Sequence, residues 1–87
     1  MEERPANRDY ARLRWQCRRG MLELDLILQH YLDSQFEHMN AQAMQQFTQL
    51  LDQSDQTLLA WCMGYQSPAD EQDCETVAQI RQTVSAG

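Results

Sequence analysis

Leu24, Ile27, Leu28, Tyr31 and Leu32 recur at i, i+3, i+4, i+7 and i+8, and no other feature restricts the fold of this chain so much. Residues at that spacing share one stripe of an α-helix, and a stripe that wide has to face inward. The spacing predicts a helix from about Gly20 or Met21 to about Phe36. No alternating strand pattern and no Asn-Gly or Asp-Gly hairpin turn competes with it.

The other segments also read as helices. A first is expected from about Asn7 to Arg19, with Tyr10, Leu13 and Cys17 inward. A second stripe on it holds Arg8, Arg12, Trp15 and Arg19. Trp15 can pack in the core beneath long arginine stems, or it can belong to a recognition patch. Core packing is the expectation for Trp15 taken by itself. A third helix follows Asn40 as N-cap, with Met44, Phe47, Leu50 and Leu51 inward. A fourth follows Ser54 as N-cap and carries Leu58, Leu59, Trp61 and Cys62, with Gly64 near its end. Trp61, Met63 and Met44 are expected in the core rather than in a binding box. Pro68 suits the first turn of a fifth helix. Asp70, Glu71 and Asp73 then lie at its positive end, and Val77, Ile80 and Val84 face the core. The expected fold class is all-α: a compact single domain of five short helices over residues 1–87, frayed at about 1–6 and 85–87. A chain of 87 residues buries only about 60–65% of its unfolded surface, so the core is thin and a deep enclosed site is not expected.

Charge is distributed unevenly. The net charge is −6, with seven arginines and no lysine. Six arginines (Arg4, Arg8, Arg12, Arg14, Arg18, Arg19) fall in the first nineteen residues, which net +3, and the remainder nets −9. Arginine presents a planar fork that matches carboxylates and phosphates. The arginines therefore fit specific pairing, either with a partner or with the acidic remainder of the same molecule.

These charges concentrate around a glycine in Arg18-Arg19-Gly20-Met21-Leu22-Glu23-Leu24-Asp25. A helix interior disfavours glycine by about 1 kcal/mol against alanine, so Gly20 marks a junction, where a sharp turn or a close backbone approach is possible. Glu23 and Asp25 can serve the helix dipole in the first turn of the next helix, or they can point outward to a partner.

Few features suggest chemistry. His30 and His38 have no acid–histidine arrangement beside them and are expected to pack or to be solvated. There is no GxGxxG, no P-loop lysine and no DxDxDG loop. Cys17, Cys62 and Cys74 form no CxxC pair and leave one over, which suits a reducing cytosol. No apolar stretch approaches the roughly 20 residues of a membrane span, and Met1-Glu2-Glu3-Arg4-Pro5 has no apolar signal core. No catalytic residue and no metal ligand set is expected, and the chain is expected to stay in the cytoplasm.

The stretch from Arg12 to Asp25 closely resembles the signature of the bacterial succinate dehydrogenase assembly factors, also called flavinylation factors. Its hallmark is Arg-Gly-x-x-Glu, here Arg19-Gly20-Met21-Leu22-Glu23. Phe47-x-x-Leu50-Leu51, then Asp55, Leu58 and Trp61, then Pro68-Ala69-Asp70 resemble the second half of that family. One departure is Gln66, where a glycine is usual, with Gly64 offset by two; the exit from the fourth helix is the geometry it affects.

The resemblance implies a five-helix domain and a chaperone role rather than an enzyme. Such proteins bind the apo flavoprotein subunit of succinate dehydrogenase, and often that of fumarate reductase, and promote covalent attachment of FAD to a histidine of the client. It implies no cofactor of its own, a client that carries the FAD and forms the bond itself, no membrane insertion, and a monomer. The client interface it implies is Arg19, Gly20 and Glu23, flanked by Arg12, Trp15, Arg18 and Asp25. An alternative from another class is a small nucleic-acid-binding protein using the arginine-rich first helix. The acidic remaining helices and the lack of a base-reading motif weigh against it, and no nucleic acid is expected as partner.

Overall fold

The computed structural model describes residues 7–86. Five α-helices follow one another: α1 (Asn7–Gln16), α2 (Leu22–Gln35), α3 (Ala41–Leu50), α4 (Asp55–Cys62) and α5 (Glu71–Ala86), with a 3-10 turn at Phe36–His38 after α2. The all-α expectation holds. The expected fraying at 1–6 and at Gly87 lies outside the described residues, while the backbone of Ser85 and Ala86 continues α5.

α2 packs against α1, α4 and α5. Its predicted stripe explains this, because Leu24, Leu28 and Leu32 are fully buried and Tyr31 nearly so, with Ile27 partly covered. Leu13 and Cys17 of the first segment close one side, Phe47 and Leu50 of α3 and Leu58 of α4 another, and Val77 and Ile80 of α5 the third. The rings of Tyr31 and Phe47 meet at 5.2 Å within this core. α1 runs back along α2: Arg14 pairs with Asp33 at 3.1 Å, and the Tyr10 hydroxyl donates to the same carboxylate. Both charged side chains are half exposed, so solvent screening leaves the pair only a small share of the stability.

Local chemistry sets most helix ends. The Asn40 side chain accepts from the Ala43 amide at 2.8 Å, and the Ser54 hydroxyl accepts from the Thr57 amide at 3.2 Å. Both expected N-caps are therefore in place. α4 exits through Gly64 at φ +82. The Gly64 amide donates to the Trp61 carbonyl, and the Tyr65 amide donates to the Ala60 carbonyl. This pair of bonds is the Schellman arrangement, which needs a left-handed residue at that position. Gly64 supplies it, so the offset of the glycine from position 66 leaves a regular helix exit.

Several expectations are corrected. α1 stops at Gln16 rather than Arg19, because the Arg18 amide turns back to Trp15 in a tighter i to i+3 bond and Gly20 then leaves the helical region. Pro68 is buried ahead of α5 rather than in its first turn. Asp70 is the cap, its Oδ1 accepting from the Gln72 and Asp73 amides. Val84 is 39% exposed and Met63 40% exposed, since the core ends with Ile80 on α5 and with Trp61 on α4. Trp15 is 70% exposed. It lies two residues from both Leu13 and Cys17, which puts it on the opposite side of the helix from the core stripe.

A domain of 87 residues holds roughly 4–13 kcal/mol of folding stability. Leu28 lies at 0% exposure on the central helix, so Leu28→Ala is expected to remove about 2–5 kcal/mol. Thermal denaturation should show a midpoint at least about 10 °C lower.

Candidate functional site

α1 and α2 are joined by an elbow of five residues, 17–21. The turn is sharp because Gly20 takes φ +86, a conformation that other residues reach only with strain. A Cβ built on Gly20 meets nothing within 4 Å. Its surface is therefore open, and the glycine is required by backbone shape rather than by crowding inside the molecule. On the α2 side, Asp25 grips the elbow: its Oδ1 accepts from the Arg19 amide at 2.7 Å and its Oδ2 from the Gly20 amide at 3.3 Å.

The Arg19 side chain turns inward. Its Nε donates to Asp55 Oδ1 at 2.8 Å, Nη1 to the carbonyls of Gln16 at 3.0 Å and Leu51 at 2.8 Å, and Nη2 to the Gln53 carbonyl at 2.8 Å. Only 17% of the side chain is exposed. A guanidinium has five N–H donors, so little of this one is left for a partner. Arg19 and Asp25, both read from the sequence as interface candidates, thus hold the elbow together from within. The physical reason is that α3 ends and α4 begins beneath the elbow, where the carbonyls of Leu51 and Gln53 need donors and Asp55 supplies a carboxylate.

Glu23 behaves differently. It is exposed and makes no side-chain hydrogen bond or ion pair among the described residues. Gly20 and Arg18 of the elbow, Trp15 at the end of α1 and Leu22 at the start of α2 are also exposed, Leu22 to 77%. The Arg18 guanidinium lies 5.8 Å from the centre of the Trp15 ring, which fixes a flat apolar and cationic pair on the surface. Arg12 is also exposed but reaches toward Asp9 at 3.8 Å and borders a groove against Ala41 and Met44 of α3. One turn beyond Leu22, Leu26 is 59% exposed and leads into a shallow groove with Ile27, His30 and Val84. Leu22 and Leu26 are additions that the sequence reading did not make. Their signal was present: an apolar pair at i, i+4 lying off the core stripe has no interior to face.

No group of three or more potential metal ligands occurs among the described residues. His30 and His38 are both exposed. Cys17 is fully buried, and desolvation pushes its thiol up from 9.0 to about 12 against the weaker opposing pull of Arg19 and Arg14. Burial likewise pushes the Cys62 thiol up to about 11. Neither is a nucleophile near neutral pH. Among the described residues no helix is long and apolar enough to cross a membrane.

Comparison with known proteins points to one family. A family model described as flavinator of succinate dehydrogenase matches residues 11–84. The FAD assembly factor SdhE of Legionella pneumophila (strain Lens) is 43% identical over 65 residues, covering 75% of this chain and 82% of that protein. The protein of the same description from Coxiella burnetii is 36% identical over 74 residues, covering 85% and 90%. That from Shewanella oneidensis is 39% identical over 71 residues, covering 82% and 87%. No solved structure matches the chain significantly.

The buried thiols make a prediction about alkaline pH. The folded state holds Cys17 and Cys62 protonated up to about 12 and about 11, whereas the unfolded chain ionises them near 9. The stability these two thiols contribute is therefore fully present below about pH 9 and is lost as pH rises through 11 to 12. Urea midpoints measured from pH 8 to pH 10.5 should fall, and the fall should be smaller in Cys17→Ala.

Proposed function

The chain belongs to the family of flavinators of succinate dehydrogenase, and on that premise we propose that it docks on the apo flavoprotein subunit of that enzyme and promotes covalent attachment of FAD to it. The observation that carries the reading is the unpaired Glu23 carboxylate, exposed beside the open backbone of Gly20 on a braced elbow. A braced surface loses little ordering entropy on binding, and this is how a thin domain can bind a larger protein.

In this reading Glu23 accepts charge-assisted bonds from the client. Gly20 admits client atoms where a side chain would stand in the way. Trp15 supplies the apolar anchor, with Arg18 holding its ring. A tryptophan side chain covers about 150–250 Å², so at about 25 cal/mol per Å² its burial outweighs an exposed ion pair severalfold. Arg19 and Asp25 contribute by shaping the elbow. The factor has no cofactor and performs no chemistry of its own. It raises the population of the client conformation in which FAD and the client's histidine can react, which requires tighter binding to that conformation than to others.

The proposed clients are the flavoprotein subunit of succinate dehydrogenase and that of fumarate reductase, bound by a monomeric factor in the cytoplasm. Nucleic acid is not a proposed partner: Arg14 and Arg19 are engaged with Asp33 and Asp55 in the same chain, so two of the basic groups are turned to internal carboxylates.

The test combines purified apo subunit, FAD and this protein, followed by flavin fluorescence of the subunit in a denaturing gel. The intact chain should raise the covalent signal. Glu23→Ala and Gly20→Arg should keep the helical circular dichroism spectrum, bind the subunit at least about tenfold more weakly, equal to about 1.4 kcal/mol, and lower the signal accordingly. Normal flavinylation with both folded variants would sink the assignment.

A further inference from the structure

We propose that Arg19 and Asp55 act together as positioning residues, through which the α3–α4 loop sets how the elbow presents Gly20 and Glu23 to the client; the inference rests on the docking reading above. The Arg19 guanidinium sits where three chain segments converge. It takes the last carbonyl of α1 (Gln16), the carbonyl of the residue that caps α3 (Leu51), the loop carbonyl of Gln53, and the carboxylate of Asp55 in the first turn of α4. Helix C-termini present unsatisfied carbonyls with partial negative charge. One cation therefore serves the ends of α1 and α3 at once, and Asp55 balances its charge.

The separation along the sequence gives the arrangement its meaning. Leu51, Gln53 and Asp55 lie 32, 34 and 36 residues from Arg19. Few other bonds fix the elbow: Asp25 holds the amides of Arg19 and Gly20, while the left-handed backbone of Gly20 is free of packing on its outer side. Asp25 ties the elbow to α2, and Arg19 ties it to α3 and α4. Removing the second tie leaves Arg19 and Gly20 held by Asp25 alone, between Cys17 and Met21, which pack in the core. The client would then meet a mixture of elbow conformations, and only a fraction of them would present Glu23 correctly. Lysine is a poor substitute, because a single ammonium lacks the planar fork that spans acceptors on several sides.

The experiment is a double-mutant cycle on the full chain with Arg19→Ala, Asp55→Ala and both together, read in two ways. Amide hydrogen exchange of the free protein should speed up at Arg19 and Gly20, whose amides are bonded to Asp25, in all three variants, while the central amides of α2 and α5 stay protected. Binding to the apo flavoprotein subunit should weaken about five- to twentyfold in each single variant, and the double variant should match Arg19→Ala within about twofold. If Arg19 instead contacts the client directly, Asp55→Ala frees its guanidinium and leaves binding unchanged or tighter; that result overturns the proposal, as does unaltered exchange at the elbow. Should Arg19→Ala fail to fold, Arg19→Lys takes its place in the cycle. Glu23→Ala separates the two levels: undiminished binding by that variant sinks the docking reading itself, while the exchange arm still reports whether Arg19 and Asp55 brace the elbow.

Discussion

The reversal between α1 and α2 is the constraint on which the rest of this structure depends. The chain turns within five residues, and it does so through a left-handed glycine that has no ladder of hydrogen bonds to support it. Backbone groups released at such a turn need partners. Asp25 supplies acceptors for two amides, and Arg19 supplies donors to carbonyls left over at two helix ends. The turn can therefore be sharp, exposed and still well defined.

This bracing divides a short run of charged residues into two kinds. Arg19 and Asp25 face the molecule, and Glu23 with Arg18 faces away from it. The outward group is joined by Trp15 and Leu22, which the folded chain does not cover. A small domain with a thin core has little freedom to leave large apolar side chains in water without consequence. In the proposed docking, apolar area of this kind supplies affinity and the Glu23 carboxylate supplies register.

Much of the fold was legible because its signals are local. The stripe from Leu24 to Leu32, the caps at Asn40 and Ser54, and the glycine exit at Gly64 each depend on residues within a turn or two of each other. Where the reading failed, competition from elsewhere in the chain decided. Val84 follows the apolar spacing of α5, but the core ends before reaching it. Pro68 has the chemistry of a first-turn residue, yet Asp70 forms the cap two residues later. Trp15 reads as a core residue by type, and its angular position on α1 overrides that preference.

The sequence by itself determined that there are five helices, the caps at Asn40 and Ser54, the junction at Gly20 and the family resemblance, since spacing and side-chain type carry all of these. Only the tertiary structure decided which charges are engaged and which are free. Arg19 and Glu23 are four residues apart and equally polar on paper. One meets carbonyls and a carboxylate brought to it from more than thirty residues away, and the other meets none among the described residues, because burial and pairing depend on which distant segment arrives beneath a side chain.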